Sequence, residues 1–209
     1  MPNSTCATDA TVDVPTKKSL KQLLLDAAVA ALIELGVART TTVEVQRRAG
    51  VSRGALLHHF PSHTLMLSAT IEELVRRNDE AVRLAQQQMA ATANPLERAI
   101  RTLVSMGTQP AFLAELELWA TARSDAELLA AVQGAERNAR KERERVIAEL
   151  FASVQHNPNY EAVVAISIEF VRGVALSSVL TSNSEHRERL IRQWVWAVET
   201  LLQAPSPAN

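Results

Sequence analysis

Thr40-Thr-Thr-Val-Glu-Val-Gln-Arg-Arg-Ala-Gly-Val-Ser-Arg-Gly-Ala-Leu-Leu-His-His-Phe60 decides the fold. Val45 and Ala49 stand i, i+4 on one helix face, and Leu56 and Phe60 repeat that spacing on a second helix. Between them Gly50 offers the left-handed residue that a tight turn needs, Val51 fills the corner, and Ser52 is placed to cap the second helix. Arg53, Gly54, Ala55, Leu57 and His58 are left on the outer side. A glycine between two helices is by itself an ordinary helix stop. Here turn, cap, corner residue and local positive charge coincide, which predicts a helix-turn-helix whose later helix enters the DNA major groove N-terminus first.

Upstream, Leu20, Leu23, Leu24, Ala27, Ala28, Ala31, Leu32 and Leu35 recur at three and four, predicting a helix that Ser19 or Thr16 caps and Gly36 ends in a left-handed stop. Downstream, helical windows run from Ser62 to Ala91, Leu96 to Met106, Pro110 to Ala122, Asp125 to Phe151, Tyr160 to Leu180 and Glu185 to Leu202. Asn94-Pro95 breaks the chain, with Pro95 suited to a first helical turn. Strand-like alternation is nowhere sustained, so the fold class is all-α, with about nine helices. The expected organisation is a disordered tail over 1–15, a three-helix DNA-binding unit over 16–62, a larger helical bundle over 63–204, and a tail over 205–209.

The chain has 209 residues and a net charge of −1. That total hides a division: from Thr16 to Ser62 seven basic residues face three acidic ones, a net +4, which leaves −5 for the remainder. A basic unit fused to an acidic one hints at a nucleic-acid partner. The longest apolar run, Ala27 to Ile33, is too short to cross a bilayer, and the first residues lack the pattern of a secretory signal. The single cysteine, Cys6, points to a reducing compartment, so a cytoplasmic location is expected.

Ala49-Gly50-Val51-Ser52-Arg53-Gly54, followed by Leu56, His59-Phe60-Pro61-Ser62 and Leu65, resembles the N-terminal signature of the TetR family of bacterial transcriptional regulators. The resemblance is close over residues 18–70 and loose beyond, where Glu117 to Leu128 is similar to a stretch of some regulatory domains of the family. It implies a homodimer with two DNA-binding heads on a palindromic operator, released when a small-molecule effector enters the body. It also implies DNA contacts at Thr41, Thr42, Arg48, Ser52, Arg53, Gly54, Ala55, Leu57, His58 and His63. Thr42 stands where the family places a hydroxyl against phosphate, and Arg53 leads the recognition helix. Two positions depart from the pattern. Leu57 replaces the family's phosphate-binding tyrosine, and His63 replaces a phosphate-binding lysine, so a shallower salt dependence is expected. Arg47 and Arg48 are candidates to compensate, although Arg48 is also spaced to pair with Glu44.

In the body, Met89, Met106, Phe112, Leu116, Trp119 and Phe170 are candidate ligand contacts, each also suited to plain core packing. Glu115, Glu117 and Arg123 flank Trp119, either as polar groups that select a ligand or, the preferred reading, as helix-surface charge, and the mixed signs from Glu136 to Glu149 read as a solvated helix. Leu190, Ile191, Trp194, Val195 and Val198 form a stripe on the last helix, matched by Val163, Ile166, Phe170 and Val174. The family resemblance makes these the dimer seam; the pattern alone equally fits packing within one chain. His58, His59 and His63 do not form a metal site, because Pro61 interrupts their helical register. Neither a cofactor nor an enzymatic activity is expected: no phosphate loop, metal-ligand spacing or nucleophile–base pair stands out. The remaining alternative is a helical protein–protein interaction module with a degenerate DNA-binding head.

Overall fold

Short polar side chains set most of the helix starts in the computed structural model, which describes residues 19–88, 94–181 and 183–205. Ser19 Oγ accepts from the Gln22 amide ahead of α1 (Leu20–Leu35), and Thr41 Oγ1 accepts from the Glu44 amide ahead of α2 (Thr42–Ala49). Ser52 Oγ does the same for the Ala55 amide ahead of α3 (Arg53–His59), and Ser62 Oγ for the Leu65 amide ahead of α4 (His63–Gln88). Each cap satisfies an amide that the helix leaves unpaired, a contribution of about 1 kcal/mol. Asn94 Oδ1 holds the first amides of α5 (Pro95–Gly107), where Pro95 sits in the first turn. Then come α6 (Pro110–Ala122), α7 (Ala126–Leu150), capped by Asp125, α8 (Tyr160–Ser178), and α9 (Ser184–Gln203), capped by Asn183. The described residues are all-helical, with no strand.

Three apolar cores succeed one another through the molecule. The first joins Leu24, Leu25 and Ala28 of α1 to Val45, Leu56, Phe60 and Met66. The second joins Val29 and Leu32 to Leu67, Ile71, Leu74 and Val75 of α4 and to the inner faces of α6 and α7. The third gathers α5, α8, α9 and the end of α7 around Phe151, which is 0% exposed. The helix α4 therefore serves both units: its first turns close the head, and its next turns build the body. Among the described residues no helix is long and apolar enough to cross a membrane.

Gly36 ends α1 differently from the expected left-handed stop. Its φ of 76° and ψ of 176° are extended, a region essentially reserved to glycine. A Cβ there would also lie 2.5 Å from Glu117 Oε1. Gly36→Ala is expected to lower stability by about 1–3 kcal/mol in urea melts. Adding Glu117→Ala should leave most of that loss, because the strain is in the backbone.

Candidate nucleic-acid interface and effector cavity

The turn between α2 and α3 has the geometry its residues dictate. Gly50 takes φ 65° and ψ 33°, and the Val51 amide donates back to the Gln46 carbonyl, which stops α2 and swings the chain into α3. Val45, Leu56 and Phe60 are buried, which fixes the rotation of both helices. The opposite face shows Ser52, Arg53, Gly54, Leu57 and His58 to solvent, with Ala55 half-buried among them. Arg53, at the first position of α3, makes no ion pair among the described residues. Thr41 and Ser52 use oxygen lone pairs for their caps, so each hydroxyl proton is left to donate to a phosphate. Thr42, half-buried, opens the first turn of α2, where unpaired amides also favour an anion.

Two of the expected DNA contacts are engaged within the protein. Arg48 donates to Glu44 Oε1 at 2.6 Å and pairs with Glu34 of α1 at 2.8 Å, so it clamps α2 onto α1. Arg47 takes the same Glu44 carboxylate at 2.7 Å. Arg47 and Arg48 together hold Glu44 down at about 2, and its fixed negative charge offsets theirs toward phosphate. His63 Nε2 donates to the Thr40 carbonyl at 2.9 Å, which leaves only its other ring nitrogen for a further partner.

In the body, α4, α5, α6, α7 and α8 surround a cavity of about 80 Å³. Its walls are largely apolar, with Val82, Leu103, Met106, Phe112 and Val171 among them, and one side carries charge. Arg143 of α7 reaches inward and donates to Asp79 Oδ1 at 3.0 Å, Glu115 Oε1 at 3.2 Å and Glu136 Oε2 at 2.6 Å. Asn78 donates to Glu115 Oε2 at 2.5 Å and to the Ala111 carbonyl at 3.3 Å. Asp79 and Glu115 are only 8% and 3% exposed. Burial pushes both carboxyls above the ordinary range, against the pull of Arg143. Burial also works against the Arg143 charge, but Glu115, Asp79 and Glu136 together raise its pKa.

Of the expected ligand contacts, Met106 and Phe112 line this cavity. Leu116 is buried outside its lining, Trp119 lies 4.5 Å beneath the Arg172 guanidinium, and Phe170 stacks on Trp194 at 5.0 Å. Met89 lies outside the described residues. The charged group was read from sequence as surface, and the structure corrects that reading for Glu115 and Arg143. Their register was the available signal: Glu115 falls between Ala111 and Leu118, Arg143 between Ala139 and Val146, and Asp79 between Val75 and Val82, all on apolar stripes.

Along the expected seam, Val163, Val174, Ile191, Val195 and Val198 are buried in this chain's own third core, where Phe170, Leu190 and Trp194 also pack. Ile166 alone of that set is exposed. Large apolar groups that do face solvent on α8 and α9, and just past α8, are Ile166, Leu176, Val179, Leu180, Trp196 and Leu201.

Residues 24–77 match the family model of bacterial regulatory proteins of the tetR family. The HTH-type transcriptional regulator BetI of Serratia proteamaculans is 39% identical over 70 residues, 34% of this chain and 35% of that protein. The chain thus spans about a third of the length of that curated relative. Among solved structures, a TetR-family transcriptional regulator from Rhodococcus sp. superimposes with a TM-score of 0.65 at 18% identity, covering 88% of this chain and 98% of that one. The multidrug binding protein EbrR, complexed with imidazole, superimposes with a TM-score of 0.58 at 19% identity, covering 92% and 99%. These two likenesses establish the shared fold. Residues 24–77 thus carry the helix-turn-helix head of the bacterial regulatory proteins of the tetR family, and the helical body behind it shares the fold of the TetR-family structures.

Proposed function

We propose that this protein is a ligand-responsive transcriptional regulator, a repressor that binds a palindromic operator as a homodimer and is released by a small-molecule effector. The observation that carries the reading is the outward face of α3, with Arg53 at its first position and Gly54 beside it to let the backbone approach the duplex. A dimer supplies two such faces, and the exposed apolar side chains of Ile166 and Leu176 on α8, Leu180 just past it and Trp196 on α9 are the surface we assign to it. Gly173, with no atom within 4 Å of where a Cβ would stand, leaves room on α8 for a second helix to come close.

The effector cavity is coupled to the head through two of its own walls. Glu117 of α6 accepts from the Val37 amide at 3.3 Å, just past the end of α1. Arg77 of α4 pairs with Asp26 of α1 and immediately precedes Asn78 and Asp79 of the cavity. A ligand that moves α4 or α6 therefore moves α1 and the recognition helix with it.

The test is retention of genomic DNA fragments by the full chain at two salt concentrations, followed by sequencing. Enrichment of a short palindrome is expected. Arg53→Ala should weaken its binding by about 10- to 100-fold, the value of one good base contact. Uniform or absent retention at both salts would favour an interaction module whose head no longer reads DNA, as the leucine at position 57 and the tethered His63 allow.

A further inference from the structure

We infer that the effector is an organic monocation carrying an N–H donor, a protonated amine or amidine on a compact apolar group, bound with its nitrogen against Asp79. This rests on the cavity being the effector site.

Charge and hydrogen bonding favour this ligand over the others the cavity could hold. Arg143 is the single guanidinium shared by Asp79, Glu115 and Glu136, so the cluster carries more negative charge than it balances. The other arginine at the cavity, Arg172, pairs with Glu169 through Nη1 and lies over Trp119, while its Nε is buried without an acceptor. Asp79 is 8% exposed, lines the cavity and gives only Oδ1 to Arg143. Its second oxygen, Oδ2, is buried without a hydrogen-bond partner. A buried carboxylate oxygen with no donor is costly, and a ligand N–H removes that cost. A quaternary ammonium supplies charge but no proton to share, and the cavity wall offers Phe112 as its aromatic ring rather than a cage of them. The rest of the wall is hydrocarbon, and about 80 Å³ has room for several waters or one compact apolar group. A carboxylate ligand would meet Asp79 and Glu115 as like charges.

The probe is benzylammonium, titrated into the full-length protein by calorimetry beside benzyltrimethylammonium, benzyl alcohol and phenylacetate. The first should bind at least tenfold tighter than each of the other three. Asp79→Asn should erase that preference; should that variant fold poorly, the four-ligand series in the unaltered protein decides the matter alone. Absence of benzylammonium binding, equal binding of the quaternary compound, or preference for phenylacetate overturns the inference. Release of operator DNA is read in parallel. If phenylacetate or benzyl alcohol binds instead and releases DNA, the cationic assignment falls while the regulator reading stands. If benzylammonium binds with the stated preference and DNA stays bound, the ligand class holds and the effector reading falls.

Discussion

Arg143→Ala is expected to lower the stability of the protein by about 3–5 kcal/mol, the range seen when one partner of a buried ion pair is removed. The guanidinium holds Asp79, Glu115 and Glu136 with one hydrogen bond each, and Asp79 and Glu115 are almost wholly buried. Without it those two carboxylates face each other and an apolar wall with Asn78 as the remaining donor to Glu115. The loss should depend on pH in a stated direction. Burial already raises both carboxyls, and removing Arg143 removes the opposing pull, so their folded values rise further. A group whose folded pKa is raised favours the folded state at low pH and loses that contribution as pH climbs through the folded value. The variant should therefore lie closer to the parent at pH 5 than at pH 8. Urea melts at the two pH values read the difference. Adding Asp79→Asn and Glu115→Gln should recover much of the stability at pH 8, because the buried charges leave with their partner. A loss below about 1 kcal/mol, or one that ignores pH, would mean that water reaches the cluster freely.

The head was legible because its determinants are local. Gly50, Ser52 and the Val45, Leu56 and Phe60 spacing each act within a few residues, and the turn they specify forms as they specify it. Helix ends were legible for the same reason at Pro95, Asp125 and Pro110, where cap and proline chemistry fixes the start. The cavity was not, because it exists only where α4, α6 and α7 meet. Glu136 to Glu149 alternates in sign like a solvated helix, and along most of its length it is one: Arg140 and Arg145 pair with their own helix neighbours and are exposed. Arg143 is turned inward, with Glu136 partly buried against it, and what marks Arg143 is register on the apolar stripe rather than charge. The seam shows the same limit. Two helices with matching apolar stripes can meet each other or meet a second copy, and α8 and α9 spend Val163, Val174, Ile191 and Val195 on each other and on α5 and α7. What is left facing solvent is the outer face; the seam expected from the sequence took in Ile166 of it but not Leu176, Leu180 or Trp196, which stand off the stripes of buried valines.

That outer face leads to the largest functional effect expected. Ile166 is 46% exposed, Leu180 87% and Trp196 69%, an apolar surface of the kind that marks an association site. The double substitution Ile166→Asp with Trp196→Asp is expected to convert a dimer to a monomer in sedimentation. Both side chains lie outside the cores, so thermal unfolding of the isolated chain should shift little, as for other surface substitutions. Operator binding should behave very differently. Joining two heads turns the second half-site contact into an intramolecular event, worth about 10²- to 10⁴-fold in affinity without any new contact to DNA. The variant should lose at least the lower end of that range on a full palindrome, yet bind an isolated half-site as the parent head does, since Arg53 and the rest of α3 are untouched. Equal palindrome affinity in parent and variant, or a variant that still sediments as a dimer, would move the association surface elsewhere and leave Trp196 an exposed side chain without that role.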